Sequence, residues 1–190
     1  MDTQRHAVLA ALGRFFLART GEEMARAYAG LCRDGDASGR NPDLEDVDWE
    51  AVEFAFNKLF VGPMALQASP YASSYLEPES RLMGESTLTV RRIYEMAGLV
   101  SPLRGRLPED HVGVELDAAL AMLNLVERCD AEEPRCLWRY FFHEHLGVWL
   151  PMFLDRARNA DAGHPVVDLA LDRLDAWLED QRNQQEGDDP

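Results

Sequence analysis

Between Leu137 and Phe153 the chain is apolar on nearly every side of a helix. Leu137, Phe141 and Val148 share one face, and Trp138, Phe142, His145 and Trp149 share another. A helix without a polar face belongs in the middle of a fold, so the rest of the chain must supply elements to pack around it. Pro134 suits its start, where a missing N–H costs nothing. Pro151 lacks the N–H that would bond to Gly147, and its ring presses on that carbonyl, which predicts a kink near Gly147.

The surrounding segments carry helical spacing too. Val8, Leu9, Leu12, Phe15 and Phe16 mark one buried face. Thr20 and Glu23 have capping-box spacing ahead of Met24, Ala27, Tyr28 and Leu31. Asp48 can cap a helix striped with Val52, Phe56, Leu59 and Phe60, and Gly62-Pro63 stops it. Val90, Ile93, Tyr94 and Ala97 mark another, closed by Gly98 as a left-handed cap. Pro108 to Asp110 reads as the first turn of a further helix, where acids meet the positive end of the dipole; Leu116, Ala119, Leu120, Leu123 and Val126 form its stripe. His164-Pro165 opens the last helix, with Val167, Ala170, Leu171, Leu174 and Leu178 inward.

No segment alternates with period two for long enough to build a sheet. The expected fold is therefore all-α, a single bundle of about seven or more helices over residues 1 to 180, with a polar tail from 181 to 190. Residues 33 to 48 turn to Gly, Asp, Ser, Asn and Pro, a loop long enough to move or to act as a hinge. Between Pro63 and Glu85, the prolines at 63, 70 and 78 exclude a regular helix. Tyr71 and Tyr75 there either present a binding surface or pack the loop onto the core.

Composition narrows the function. The formal charge of −15, from 34 acidic against 19 basic residues, argues against a phosphate-backbone binder and suits a basic peptide partner. Cys32, Cys129 and Cys136 are odd in number and form no C-x-x-C pair, so neither a disulfide framework nor a zinc site is expected. The apolar run from Ala7 to Leu12 is broken by Gly13-Arg14, and that from Leu146 to Leu154 is too short to span a bilayer. A reduced, soluble, cytoplasmic protein is expected.

Catalytic patterns are missing. No H-E-x-x-H, G-x-S-x-G, G-x-x-x-x-G-K-[ST] or G-x-G-x-x-G occurs. His111 and Glu115 lie one helical turn apart and are expected to bond to each other rather than hold a metal. His143 and His145 point to different sides of a helix and cannot share an ion. No cofactor and no catalytic residue is expected.

Four motifs resemble the TorD/DmsD/NarJ family of redox-enzyme maturation chaperones. Phe56-Asn57-Lys58-Leu59-Phe60-Val61-Gly62-Pro63 is similar to the family's aromatic-x-x-Leu-Phe-x-Gly-Pro segment. Ser69-Pro70-Tyr71-Ala72-Ser73-Ser74-Tyr75-Leu76 is similar to its Pro-aromatic-x-Ser-x-Tyr-Leu loop. Asp110-His111-Val112-Gly113-Val114-Glu115-Leu116 resembles the Asp-His-x-x-x-Glu-Leu signature, and His145-Leu146-Gly147-Val148-Trp149-Leu150-Pro151-Met152-Phe153 the His-Leu-x-x-Trp-x-Pro-x-Phe helix. Together they cover about residues 50 to 155, in the family's order.

The resemblance implies a non-enzymatic cytoplasmic chaperone. Its partner would be the twin-arginine signal peptide, or the N-terminal region, of a molybdenum-cofactor oxidoreductase subunit, held until cofactor insertion is complete. It implies peptide-binding roles for Asp110, His111, Glu115, Tyr71, Ser74, Tyr75 and Leu76. Neither nucleic acid nor membrane insertion is expected, and the chain is expected to be a monomer whose 33 to 48 loop leaves slack for a domain-swapped dimer. Tyr71 stands where many relatives carry Trp, and Ala118-Ala119 where they carry Phe-Met, which leaves room for a wider groove. A leader is an arginine pair followed by an apolar stretch, so its receptor needs acids beside an apolar groove. Each buried methylene contributes roughly 0.8 kcal/mol and a rim ion pair roughly 0 to 1, so the groove should supply affinity and the acids orientation. Two other readings compete: an assembly chaperone for a non-exported, nitrate-reductase-like subunit, and a metal- or nucleotide-dependent enzyme at His111 and Glu115.

Overall fold

Thr20 and Asp48 cap helices as their spacing predicts: Thr20 Oγ1 accepts from Glu23 N–H at 3.3 Å, and Asp48 Oδ1 from Glu50 and Ala51 N–H at 3.1 and 3.2 Å. The Glu23 carboxylate reaches past the cap and accepts instead from Arg19 N–H, at 2.7 Å. The computed structural model describes residues 2–32, 46–63, 66–78, 83–160 and 163–187. Most of the expected 33 to 48 loop, and with it the domain swap, lies outside them.

The described residues are all-α, without a strand, and the chain divides into two units, residues 1–69 with 154–190 and residues 70–153. The first holds α1 (Asp2–Leu17), α2 (Gly21–Leu31), α3 (Trp49–Phe60) and α9 (Pro165–Gly187). Its core follows the predicted stripes: Leu9, Leu12, Phe15 and Phe16 of α1 are buried, as are Val52, Phe56, Leu59 and Phe60 of α3. Phe15 meets Phe56 and Phe16 meets Phe60 edge-to-face, with ring centroids 5.7 and 5.8 Å apart. Helices α1 and α2 pack closely because Gly30 has no side chain; a Cβ there would lie 2.8 Å from that of Ala11. Helix α9 continues into the polar tail, where residues 182 to 184 are exposed. Leu178 and Gln181 are buried, so the covered face extends one turn beyond Leu174 to Gln181, and the helix runs to Gly187.

The second unit holds α4 (Ser73–Leu76), α5 (Glu85–Met96), α6 (Val112–Arg128), α7 (Glu132–Phe141), a π-helical turn (Phe142–Leu146) and the start of α8 (Gly147–Arg158). Gly98, at φ 68°, closes α5, and Leu99 N–H returns to Tyr94 O at 2.8 Å in a Schellman turn. The segment apolar on all sides is one continuous helical run, but not all of it is covered. Trp138, Phe141, Phe142, His145, Leu146, Trp149 and Leu150 are buried, while Tyr140, Val148 and Met152 are exposed. The break expected at Gly147 is the π turn: Gly147 N–H bonds to Phe142 O, five residues back, a turn ahead of the place where Pro151 has no N–H to give.

Among the described residues no helix is long and apolar enough to cross a membrane, and no group of three or more His, Cys, Asp or Glu is placed to hold a metal ion.

Candidate functional site

The mouth of α6 is built by a loop 40 residues away in sequence. Ala72 N–H donates to Asp110 O at 2.9 Å and Val112 N–H to Pro70 O at 2.8 Å, so Tyr71 and His111 face each other across an isolated antiparallel bridge. Both backbones are thereby extended. That is why α6 starts at Val112 rather than Pro108: His111, with φ −75° and ψ 134°, is its N-cap. Pro108, Glu109 and Asp110 precede the helix and are not its first turn.

Each of the three residues at this mouth has a structural task. Asp110 is fully buried, and its Oδ2 accepts from Ser73 N–H at 3.0 Å, tying the start of α4 to α6. Its Oδ1 has no hydrogen-bond partner among the described residues. His111 Nδ1 accepts from Gly113 N–H at 3.1 Å, which places the ring proton on Nε2, and the Tyr71 ring stands edge-on at 5.2 Å. Burial pushes the His111 pKa down from 6.5 to about 4, so the ring is neutral at pH 7. Glu109 is in a two-bond ion pair with Arg91, at 3.1 and 2.9 Å; burial would raise its pKa, but the guanidinium holds it below the usual value.

The Glu115 carboxylate does not bond to the His111 ring; only the backbones pair, Glu115 N–H donating to His111 O at 2.9 Å. Glu115 is fully buried one turn into α6, with His145 Nε2 2.6 Å from Oε1 and Trp149 Nε1–H donating to Oε2 at 2.8 Å. The reason is geometric: the two residues are one turn apart, but His111 is the N-cap with extended backbone, and its ring folds onto Gly113 N–H instead. Burial raises the Glu115 pKa, opposed by His145 and Trp149. His145 and Trp149 engage the Glu115 carboxylate while Gly113 N–H engages His111 Nδ1, so the two side chains make separate sets of bonds.

The loop residues close the circuit. Tyr75 packs its ring against Trp149 and Phe153, at 5.8 and 6.5 Å. Tyr71, Ser74, Tyr75 and Leu76 are all partly covered and partly open, so the aromatics both anchor the loop and leave an outward edge. Burial and the negative Asp110 raise the Tyr71 pKa. All seven residues singled out in the sequence thus lie in one unit, on one hydrogen-bonded and aromatic scaffold. His145, Trp149 and Arg91 belong to it as well and were not singled out. The four-residue spacing of His145 and Trp149 was a visible signal, but their acceptor Glu115 lies 30 and 34 residues away. Ala118 and Ala119 are buried, and Ala118 borders a small cleft of about 60 Å³.

Comparison with known proteins gives concordant results. The family model described as nitrate reductase delta subunit matches residues 1–155. The Tat proofreading chaperone DmsD of Salmonella typhi is 34% identical over 116 residues, covering 61% of this chain and 53% of that protein. The chaperone protein TorD of Vibrio cholerae is 32% identical over 133 residues, covering 67% and 59%. The matches thus span just over half the length of these curated relatives. A crystal structure from Archaeoglobus fulgidus, described as a redox enzyme maturation protein, superposes with a TM-score of 0.60 at 19% identity, over 94% of this chain and 93% of that one, a likeness of fold.

Proposed function

The chain belongs to the nitrate reductase delta subunit family, which takes in the TorD, DmsD and NarJ chaperones, and on that premise we propose that it is a non-enzymatic redox-enzyme maturation chaperone that holds the twin-arginine leader or N-terminal region of a molybdenum-cofactor oxidoreductase before export. The observation that supports this most is the bridge between Tyr71 and His111. It brings the aromatic loop and the Asp-His segment, two of the family-like motifs, to one place.

In this reading the side chains divide their work. Tyr71, Tyr75 and Leu76 offer partly open apolar surface to the leader's apolar stretch, and Ser74 a polar edge. His111 is neutral, and its Nε2–H has no partner among the described residues, so it can donate to a peptide carbonyl. Asp110 is too deeply buried to meet an arginine from outside. It positions Ser73 and hence the loop, and its charge biases the mouth toward cations. Glu115 acts further back, holding His145 and Trp149 under Tyr75.

The test is calorimetry with a synthetic leader peptide, an arginine pair followed by an apolar stretch. Tyr71→Ala and Asp110→Ala should each bind it about tenfold more weakly, a loss of ~1.4 kcal/mol, with helicity by circular dichroism unchanged. Unaltered affinity in both variants would overturn the assignment of this site. Capture of a client lacking an arginine pair would instead select the non-exported subunit as partner.

A further inference from the structure

The far end of α6 carries a second surface. Val112, Leu116, Ala119 and Met122 of its apolar stripe are buried, but Leu120, Leu123, Leu125 and Val126 are only partly covered. Helix α5 ends beside it, because Gly98 turns the chain away and leaves Met96 65% exposed. Helix α7 starts on the other side with Glu132-Glu133-Pro134. The three ends leave an open groove of about 670 Å³ walled by Met96, Met122, Leu125, Leu137 and Tyr140. From His111 to Leu125 is 14 residues, roughly 20 Å of helix, so this groove is separate from the mouth of α6.

We infer that this groove docks a basic amphipathic helix presented by another polypeptide, independently of the leader. Its shape and chemistry favour that occupant. Two methionines in the wall adapt to variable apolar side chains, as at other helix-binding grooves. The charge of the wall comes from Glu133, which is exposed and has no ion pair among the described residues. The carbonyl end of α5, at Met96 and Ala97, adds partial negative charge. Both attract Lys or Arg. A second copy of this chain would bring the same acidic lip and a net charge of −15 against it, which disfavours self-docking.

Two exposed thiols supply the readout: Cys136 lines the groove and Cys129 does not. Iodoacetamide labelling of the full chain, with each cysteine followed by peptide mass mapping, is run with a 14-residue Leu/Lys peptide whose leucines recur at i, i+3, i+4 and i+7, and with its Leu/Glu counterpart. The Lys peptide should slow labelling of Cys136 about tenfold and leave Cys129 within about twofold, while the Glu peptide protects neither. Glu133→Lys, an exposed change, should reverse that preference. Absence of protection, equal protection of both thiols, or equal protection by both peptides would overturn the proposal. So would displacement of the Lys peptide by the twin-arginine leader. Tyr71→Ala should keep Cys136 protection even where it loses the leader, so either reading can fail without the other.

Discussion

His111 carries two consequences that its position in the sequence does not announce. As the N-cap it satisfies a helical N–H through Nδ1, and as a buried ring it is kept neutral. A histidine whose pKa falls from 6.5 unfolded to about 4 folded takes up its proton more readily in the unfolded chain. Its neutral form leaves stability intact above pH 6.5; stability is lost progressively as the pH falls from there toward 4. At about 1.4 kcal/mol per unit, the loss is ~3 kcal/mol. His111→Asn retains a capping acceptor and removes the titration. Urea denaturation of both proteins between pH 7.5 and 4 should therefore show the variant losing ~3 kcal/mol less than the wild type; parallel curves would contradict the buried-neutral assignment. Asp110 was legible as a residue of interest, but its role was not, since the amide it accepts belongs to Ser73, 37 residues earlier.

At the level of elements, the π turn is the feature that most directly shapes the site. A spacing of four overshoots an α-helical turn of about 3.6 residues, and the wider turn takes up that overshoot. Phe141, His145 and Trp149 then stay in line: the first two rings stack at 5.7 Å and 11°, and the last two both reach Glu115. Gly147 ends the turn in close quarters, where a Cβ would lie 3.0 Å from Phe142 O. Gly147→Ala should consequently cost ~1–3 kcal/mol in thermal or urea denaturation, despite the better helix propensity of Ala. A stabilised variant would show that the turn relaxes freely. Pro151 made an irregularity near Gly147 readable from the sequence. Which kind of irregularity it would be was not, because a kinked α-helix and a π turn both free the chain from Pro151, and the contacts with α6 select between them. The start of α6 was misread for a related reason: Pro108, Glu109 and Asp110 all suit a first turn, yet the bridge to Pro70 and Ala72 holds them out of it.

Across the whole molecule, Phe153 and Leu154 fall in different units although both lie within α8. We propose that the chain unfolds as one cooperative domain, because that helix cannot melt in one unit without loosening the other. Trp49 and Trp177 report on the first unit and Trp138 and Trp149 on the second. Tryptophan fluorescence and far-ultraviolet circular dichroism should then give coincident urea transitions; two separated transitions would establish two domains.

The sequence by itself determined the helices, most of their caps and the apolar faces they bury. These depend on residues within four or five positions of one another, where steric preference and periodicity act directly. The four motifs also determined the family. Only the tertiary structure decided what the motif residues do. Asp110 holds a distant loop, His111 caps rather than pairs with Glu115, and Glu115 anchors His145 and Trp149. The partners of Asp110 and Glu115 are chosen by hydrogen-bond geometry and by the cost of leaving a buried polar group unmatched, and both are settled only when segments 30 or more residues apart come into contact.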